Sequence, residues 1–181
     1  KKLRKKLGPT WKYYDYESNP IVTKENELGY RSKTVYPTEE YFLHLGCSNP
    51  YGLYLHEEDR ASNLIENATG IPVINLGICG GGANIIGMNV QKLAYSTYQM
   101  PKAIFVQWPH LDRVSFPVDY GVMRIRANMT PLFLFKNFIR EPNLIKNLND
   151  HAFHSVNSLN IPVINYAIDQ GVSDYYDVCW I

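Results

Sequence analysis

The chain has 181 residues, 45% of them hydrophobic and 19% charged, which fits one domain with its own core and excludes wholesale disorder and collagen-like repeats. The net charge is +1 but unevenly spread: Lys1, Lys2, Arg4, Lys5 and Lys6 form a basic leader, while residues 7–181 hold 13 basic against 17 acidic side chains, a balance of −4. A mildly acidic body excludes broad electrostatic binding of nucleic acid by that body.

The leader reads as a solvated tail, with docking on nucleic acid or an anionic partner as the sharper alternative. No apolar stretch follows it, so it is not a signal peptide as it stands, and no run of 18 apolar residues predicts a membrane span. The chain starts at Lys1 and stops at Ile181 on an apolar run, so both ends read as cut. Residues 1–40 hold Trp11, Tyr13, Tyr14, Tyr16, Tyr30 and Tyr36 without a helical period. They predict an irregular aromatic arm lying on a domain of residues 41–181, available also to other protein subunits.

From residue 41 the texture changes. Tyr41–Gly46 predicts a strand that runs into the turn residues Gly46-Cys47-Ser48-Asn49-Pro50. Residues 57–69 predict a helix with Leu64 and Ile65 inward and Gly70 as its stop. Ile71–Asn75 predicts a second strand, followed by the cluster Gly77, Gly80, Gly81 and Gly82. A helix is expected over 83–99, a strand over Ala103–Trp108, helices over 130–139 and 142–158, a strand over Ile161–Ala167 and a last one over Tyr176–Ile181. The string Ile-Pro-Val-Ile-Asn occurs at 71–75 and at 161–165. Each copy is apolar on both faces, as a strand inside a parallel sheet must be when helices cover both sides. The alternation predicts an α/β fold, a three-layer α/β/α sandwich on a flavodoxin-like central parallel sheet.

In such a sheet, ligands bind beyond the carboxyl ends of the strands. Three segments fall there: Gly46-Cys47-Ser48-Asn49-Pro50-Tyr51-Gly52, Gly77-Ile78-Cys79-Gly80-Gly81-Gly82-Ala83-Asn84, and Gln107-Trp108-Pro109-His110-Leu111-Asp112-Arg113. The first resembles the Gly-Asp-Ser-x-x-x-Gly block of SGNH (GDSL) hydrolases, with Cys47 at the Asp position. Val73–Gly80 resembles their second block, and Pro101–Asp112 lies where their third would fall. The resemblance spans roughly residues 41–181. Asn26–Arg31 is similar to the arm that precedes such domains in bacterial and phage proteins.

The resemblance implies a serine esterase or acetylhydrolase acting on a small ester or an acylated glycan, with no cofactor and no metal. Ser48 would be the nucleophile, and the backbone N–H of Gly80, with that of Ser48, would face the oxyanion. The third block's Asn position falls on Leu111, so Gln107 or Asn84 must stand in as the side-chain donor. The family's Asp-x-x-His pair occurs nowhere in the 181 residues, so the acid and base are expected either just beyond Ile181 or never to have been part of this domain; His110 reads as a surface-loop histidine, with a replacement base oriented by Asp112 as the sharper alternative. Trp108, Tyr51 and Tyr54 can form an apolar or sugar-stacking rim, and Trp108 can equally be core. The same departures support a second expectation, a non-catalytic structural or binding module such as a virion or tail component.

The remaining residues carry blander readings. The glycine cluster lacks Gly-x-Gly-x-x-Gly spacing and a Lys-Ser/Thr ending, which argues against a nucleotide site. His151 and His154 read as a solvated helix face, and His44 as a satisfied core histidine. Three cysteines, Cys47, Cys79 and Cys179, make no disulfide framework. Cys47 and Cys79 read as two small buried residues at neighbouring strand ends, with a redox bridge as the alternative. Two sequons, at Asn67 and Asn128, are what 16 asparagines yield by chance.

Overall fold

The computed structural model describes residues 21–26, 28–33, 39–118, 121–126, 142–168 and 170–180. The basic leader, the arm's Trp11, Tyr13, Tyr14, Tyr16 and Tyr36, and the helix expected over 130–139 lie outside them. In chain order the described elements are β1 (Phe42–Leu45), α1 (Ser48–Tyr51), α2 (Ala61–Thr69), β2 (Val73–Asn75), α3 (Ala83–Ala94), β3 (Ala103–Trp108), β4 (Arg113–Val118), β5 (Gly121–Arg126), α4 (Pro142–Asn157), β6 (Val163–Ala167), α5 (Gln170–Tyr176) and β7 (Cys179–Trp180).

Five strands form one sheet in the order β2-β1-β3-β6-β7, and every pairing in it is parallel. Set aside the β4–β5 hairpin and this is the flavodoxin-like order 2-1-3-4-5. The hairpin pairs with itself alone, antiparallel, with Arg113 opposite Arg126 and Val118 opposite Gly121. It had no counterpart among the elements expected from sequence.

Alternation along the strands sorts the side chains into two faces. Leu43, Leu45, Ile74, Ile104, Val106 and Trp108 point to one face, where Ile86 and Val90 of α3, Ala152 and Val156 of α4, and Val172 and Tyr176 of α5 complete the core. Leu45, Ile104 and Val106 are fully buried. Each such burial stabilises by about 1.5–3 kcal/mol against about 1 kcal/mol net for a ladder hydrogen bond, so the apolar pattern sets which face turns inward. The other face carries His44 and Asn75. There the Asn75 side-chain amide donates to Pro50 O of α1 and to Ser62 Oγ of α2 at 3.4 Å. Helices therefore lie on both faces, and the molecule is a three-layer α/β/α sandwich.

Two expectations about burial are corrected. On α2 it is Ser62 that is buried, while Leu64 is 55% exposed, because this helix packs on the polar Asn75 rather than on an apolar strand face. The second Ile-Pro-Val-Ile-Asn copy is not covered on both sides either: Ile164 of β6 is 49% exposed, although its twin Ile74 is buried. α2 does end at Gly70, whose φ of 70° lets its N–H reach Glu66 O at 2.8 Å.

The arm's described part is fixed by polar contacts. Arg31, 1% exposed, donates to Gly52 O at 2.5 Å and Leu55 O at 2.9 Å. Arg60 donates to Arg31 O and to the Glu57 carboxylate. Burial, reinforced by Arg31, lowers the Arg60 guanidinium to about 10, so both arginines stay charged at neutral pH and staple the 52–60 loop. Tyr30 Oη donates to Asn89 Oδ1 of α3 at 3.3 Å. No helix among the described residues is long and apolar enough to cross a membrane.

Candidate active site

β2 and β3 flank β1, so the chain reverses its direction of sheet growth between β1 and β3. This is the switch point, where loops leaving adjacent strands diverge and open a crevice. The loop after β1 begins at Gly46, whose φ is 148°. A Cβ there would meet Gln107 O and Pro50 Cγ, each at 2.7 Å, so only glycine lets the first loop lie against the end of β3. Cys47 follows, and Ser48 opens the single turn of α1, closed by Gly52 at φ 76°.

A small cleft lies at this point. Its lining joins Cys47 and Ser48 from the loop after β1 with Gln107, Trp108, Pro109 and His110 from the end of β3, Arg113 from the start of β4, and Ile168 from the end of β6. The structure thus brings together Ser48, His110, Gln107 and Trp108. Gly80, Asn84 and Tyr51 lie off this lining.

Each of these residues has a local reason for its position. Gln107 is 2% exposed; its Nε2 donates to Trp108 O at 2.6 Å, and its Oε1 accepts from the Cys47 N–H at 3.4 Å. It therefore ties the two loops together. Trp108 is 1% exposed and belongs to the core, not to a rim. Its indole N–H donates to Asn165 Oδ1 at 3.0 Å, and its ring lies 4.6 Å from that of Tyr176 and 5.3 Å from that of Phe153.

The loop after β2 is lashed to the same edge. Ile78 N–H donates to Gly46 O at 3.0 Å, and a turn closed by Gly81 N–H to Ile78 O at 2.8 Å holds Gly80 at φ 76°. Asn84 is spent on β4: its Oδ1 accepts from Ser115 N–H at 3.0 Å, and its Nδ2 donates to Ser115 O. Tyr51 turns to the arm and donates to Glu25 Oε1 at 2.7 Å. Burial and then that carboxylate push its phenol up to about 12, so it stays neutral. None of Cys47, Cys79 and Cys179 is in a disulfide, so the redox bridge between Cys47 and Cys79 is not formed.

Arg113 closed the third strand-end segment of the sequence but was given no role there. Arg113 Nη1 donates to Cys47 Sγ at 2.6 Å, and that thiol in turn donates to Ser48 Oγ at 3.5 Å. The sequence signal was faint: an arginine a few residues beyond the β3 apolar run, opening the alternation Arg-Val-Ser-Phe.

No family model matches the sequence, and no curated protein matches it. Solved structures similar to the chain include AlinE4, an esterase of the SGNH-hydrolase family, with 12% identity over 79% of this chain and 76% of that one, at a TM-score of 0.48. Two mutants of the same esterase align over the same shares, with 11% and 12% identity and TM-scores of 0.48 and 0.47.

Proposed function

We propose that the chain is an SGNH-like serine esterase acting on a small ester or an acylated carbohydrate, with Ser48 as nucleophile and His110 as base. One observation carries this reading: Ser48 and His110 leave adjacent strands at the switch point and line one cleft. Acyl transfer needs an exposed hydroxyl beside a group able to take its proton. Ser48 Oγ attacks the ester carbonyl while its proton passes to the imidazole. The tetrahedral intermediate then collapses, and the leaving alcohol takes that proton. Water, deprotonated by the same imidazole, releases the acid and restores Ser48. The Ser48 and Gly80 amides are assigned to the oxyanion by resemblance to the SGNH blocks.

Labelling with a fluorophosphonate, alongside hydrolysis of 4-nitrophenyl acetate, tests this on the full chain. Ser48→Ala should abolish labelling and lower kcat by up to about 10⁶-fold, and His110→Ala should lower kcat by about 10²–10⁴-fold. Equal labelling of wild type and Ser48→Ala refutes the assignment. A wild-type protein that neither labels nor turns over returns the cleft to a non-catalytic binding or structural module.

A further inference from the structure

We infer that the Arg113 guanidinium is the side-chain oxyanion donor of this cleft. The inference rests on the reading of Ser48 as nucleophile and adds a catalytic residue to it.

The two side chains that could replace the expected asparagine donor are both committed. The Asn84 amide is paired at both ends with the Ser115 main chain. Gln107 gives its Nε2 to Trp108 O and presents its oxygen to the loop that carries Ser48, since Oε1 accepts the Cys47 N–H. An acceptor cannot stabilise an oxyanion.

Arg113 has the opposite properties. It lines the cleft with Ser48. Its Nη1 is 2.6 Å from Cys47 Sγ, and that sulfur is 3.5 Å from Ser48 Oγ, so the guanidinium lies within about 6 Å of the hydroxyl. A carbonyl oxygen whose carbon is bonded to Oγ, with a donor about 2.7–3.1 Å further on, spans such a gap. The Nη1 partner is a thiol, a weak acceptor, and the buried Nε has no acceptor at all. Among the described residues no carboxylate lines the cleft. A permanent cation with unfilled donors therefore sits where negative charge would develop.

The cation is also held before any substrate arrives. Gly82 N–H donates to Ser115 Oγ at 2.8 Å, and Asn84 grips the Ser115 main chain. Gly82 lies so close to the Arg113 carbonyl that a Cβ would not fit. The start of β4 is thus fixed to the start of α3, and donors fixed in advance need no reorganisation during the reaction.

In the step itself, the Ser48 Oγ–carbon bond forms and the carbonyl π pair moves onto oxygen, while the hydroxyl proton goes to His110. Arg113 donates hydrogen bonds to that oxygen and keeps its own protons. When the pair returns, the carbon–alkoxy bond breaks and His110 protonates the alkoxide.

The test compares wild type, Arg113→Ala, Arg113→Lys and Ser48→Ala on 4-nitrophenyl acetate, a neutral ester. Arg113→Ala should lower kcat by about 100- to 1,000-fold with KM nearly unchanged. Added guanidinium should restore part of that loss, and equal potassium chloride or urea should not. Arg113→Lys keeps the charge without the fork and should retain an intermediate kcat, a readout that survives if the alanine variant fails to fold. Wild-type kcat in Arg113→Ala beside an inactive Ser48→Ala overturns the role of Arg113 alone. A raised KM at unchanged kcat, or rescue by urea as well as by guanidinium, also overturns it. Full activity in Ser48→Ala overturns the nucleophile, and this inference with it.

Discussion

His44 should make the fold acid-sensitive well above the carboxylate range. Its ring is fully buried in β1, with Nε2 2.8 Å from Tyr166 Oη and the Phe105 ring edge-on at 6.4 Å. Burial, helped by the nearby Arg60 charge, lowers its pKa to about 4. In the unfolded chain the same imidazole titrates near 6.5. At neutral pH it is uncharged in both states and has no effect. As pH falls below about 6.5 the unfolded state gains a proton that the folded state refuses, so stability drops. The loss reaches about 2 kcal/mol at pH 5 and levels off near 3 kcal/mol below pH 4, where both states are protonated. His44→Gln keeps a partner for Tyr166 but cannot titrate. Urea unfolding at about pH 7.5, 6 and 5 should show wild type losing about 2 kcal/mol more than the variant across that range. Parallel pH dependence in the two proteins refutes the argument, whatever their absolute stabilities.

Substitutions at three further positions probe the packing around the cleft. Gly77→Ala places a Cβ 2.5 Å from Tyr51 N and 2.8 Å from Pro50 C, both main-chain atoms, and should lower the thermal midpoint by the equivalent of about 1–3 kcal/mol; an unchanged midpoint contradicts the close approach of the two loops. Trp108→Phe loses the bond to Asn165 while keeping a ring on Tyr176, for about 1 kcal/mol, whereas Trp108→Ala should cost about 3–5 kcal/mol. Equal losses would mean that the ring contributes no packing. Asn84→Ala removes both Asn84 bonds to the Ser115 main chain and should speed hydrogen exchange at the Ser115 amide while leaving that of Ile104 unchanged; no change at Ser115 would show that the Asn84 clamp is not what holds β4.

The apolar runs of β1 and β3 are readable because glycine or proline bounds them and the chain between is short. Ser48 is readable for the same reason, as a hydroxyl on a turn after a buried strand. Burial of particular residues was harder. Leu64 and Ile164 look like core by type, but exposure depends on which helix covers which strand, and no local pattern carries that. The β4–β5 hairpin hides behind Pro117, which breaks a strand pattern, although alternation on either side of Asp119-Tyr120-Gly121 is its signal. The role of Arg113 carried only a faint signal. Its contact with Cys47 crosses 66 positions of sequence and exists only because Asn84 and Ser115 join two elements that are separate in the chain.

The hairpin is an insert that adds no strand to the parallel sheet, yet among the described residues it delivers the one permanent positive charge of the cleft. Scaffold and electrostatics are therefore inherited from different pieces of chain. Exchanging the segment between β3 and α4 for another of similar span would leave the order β2-β1-β3-β6-β7 standing while resetting the sign of the potential over Ser48. The chemistry over Ser48 can thus be retuned without touching the strand order that places it.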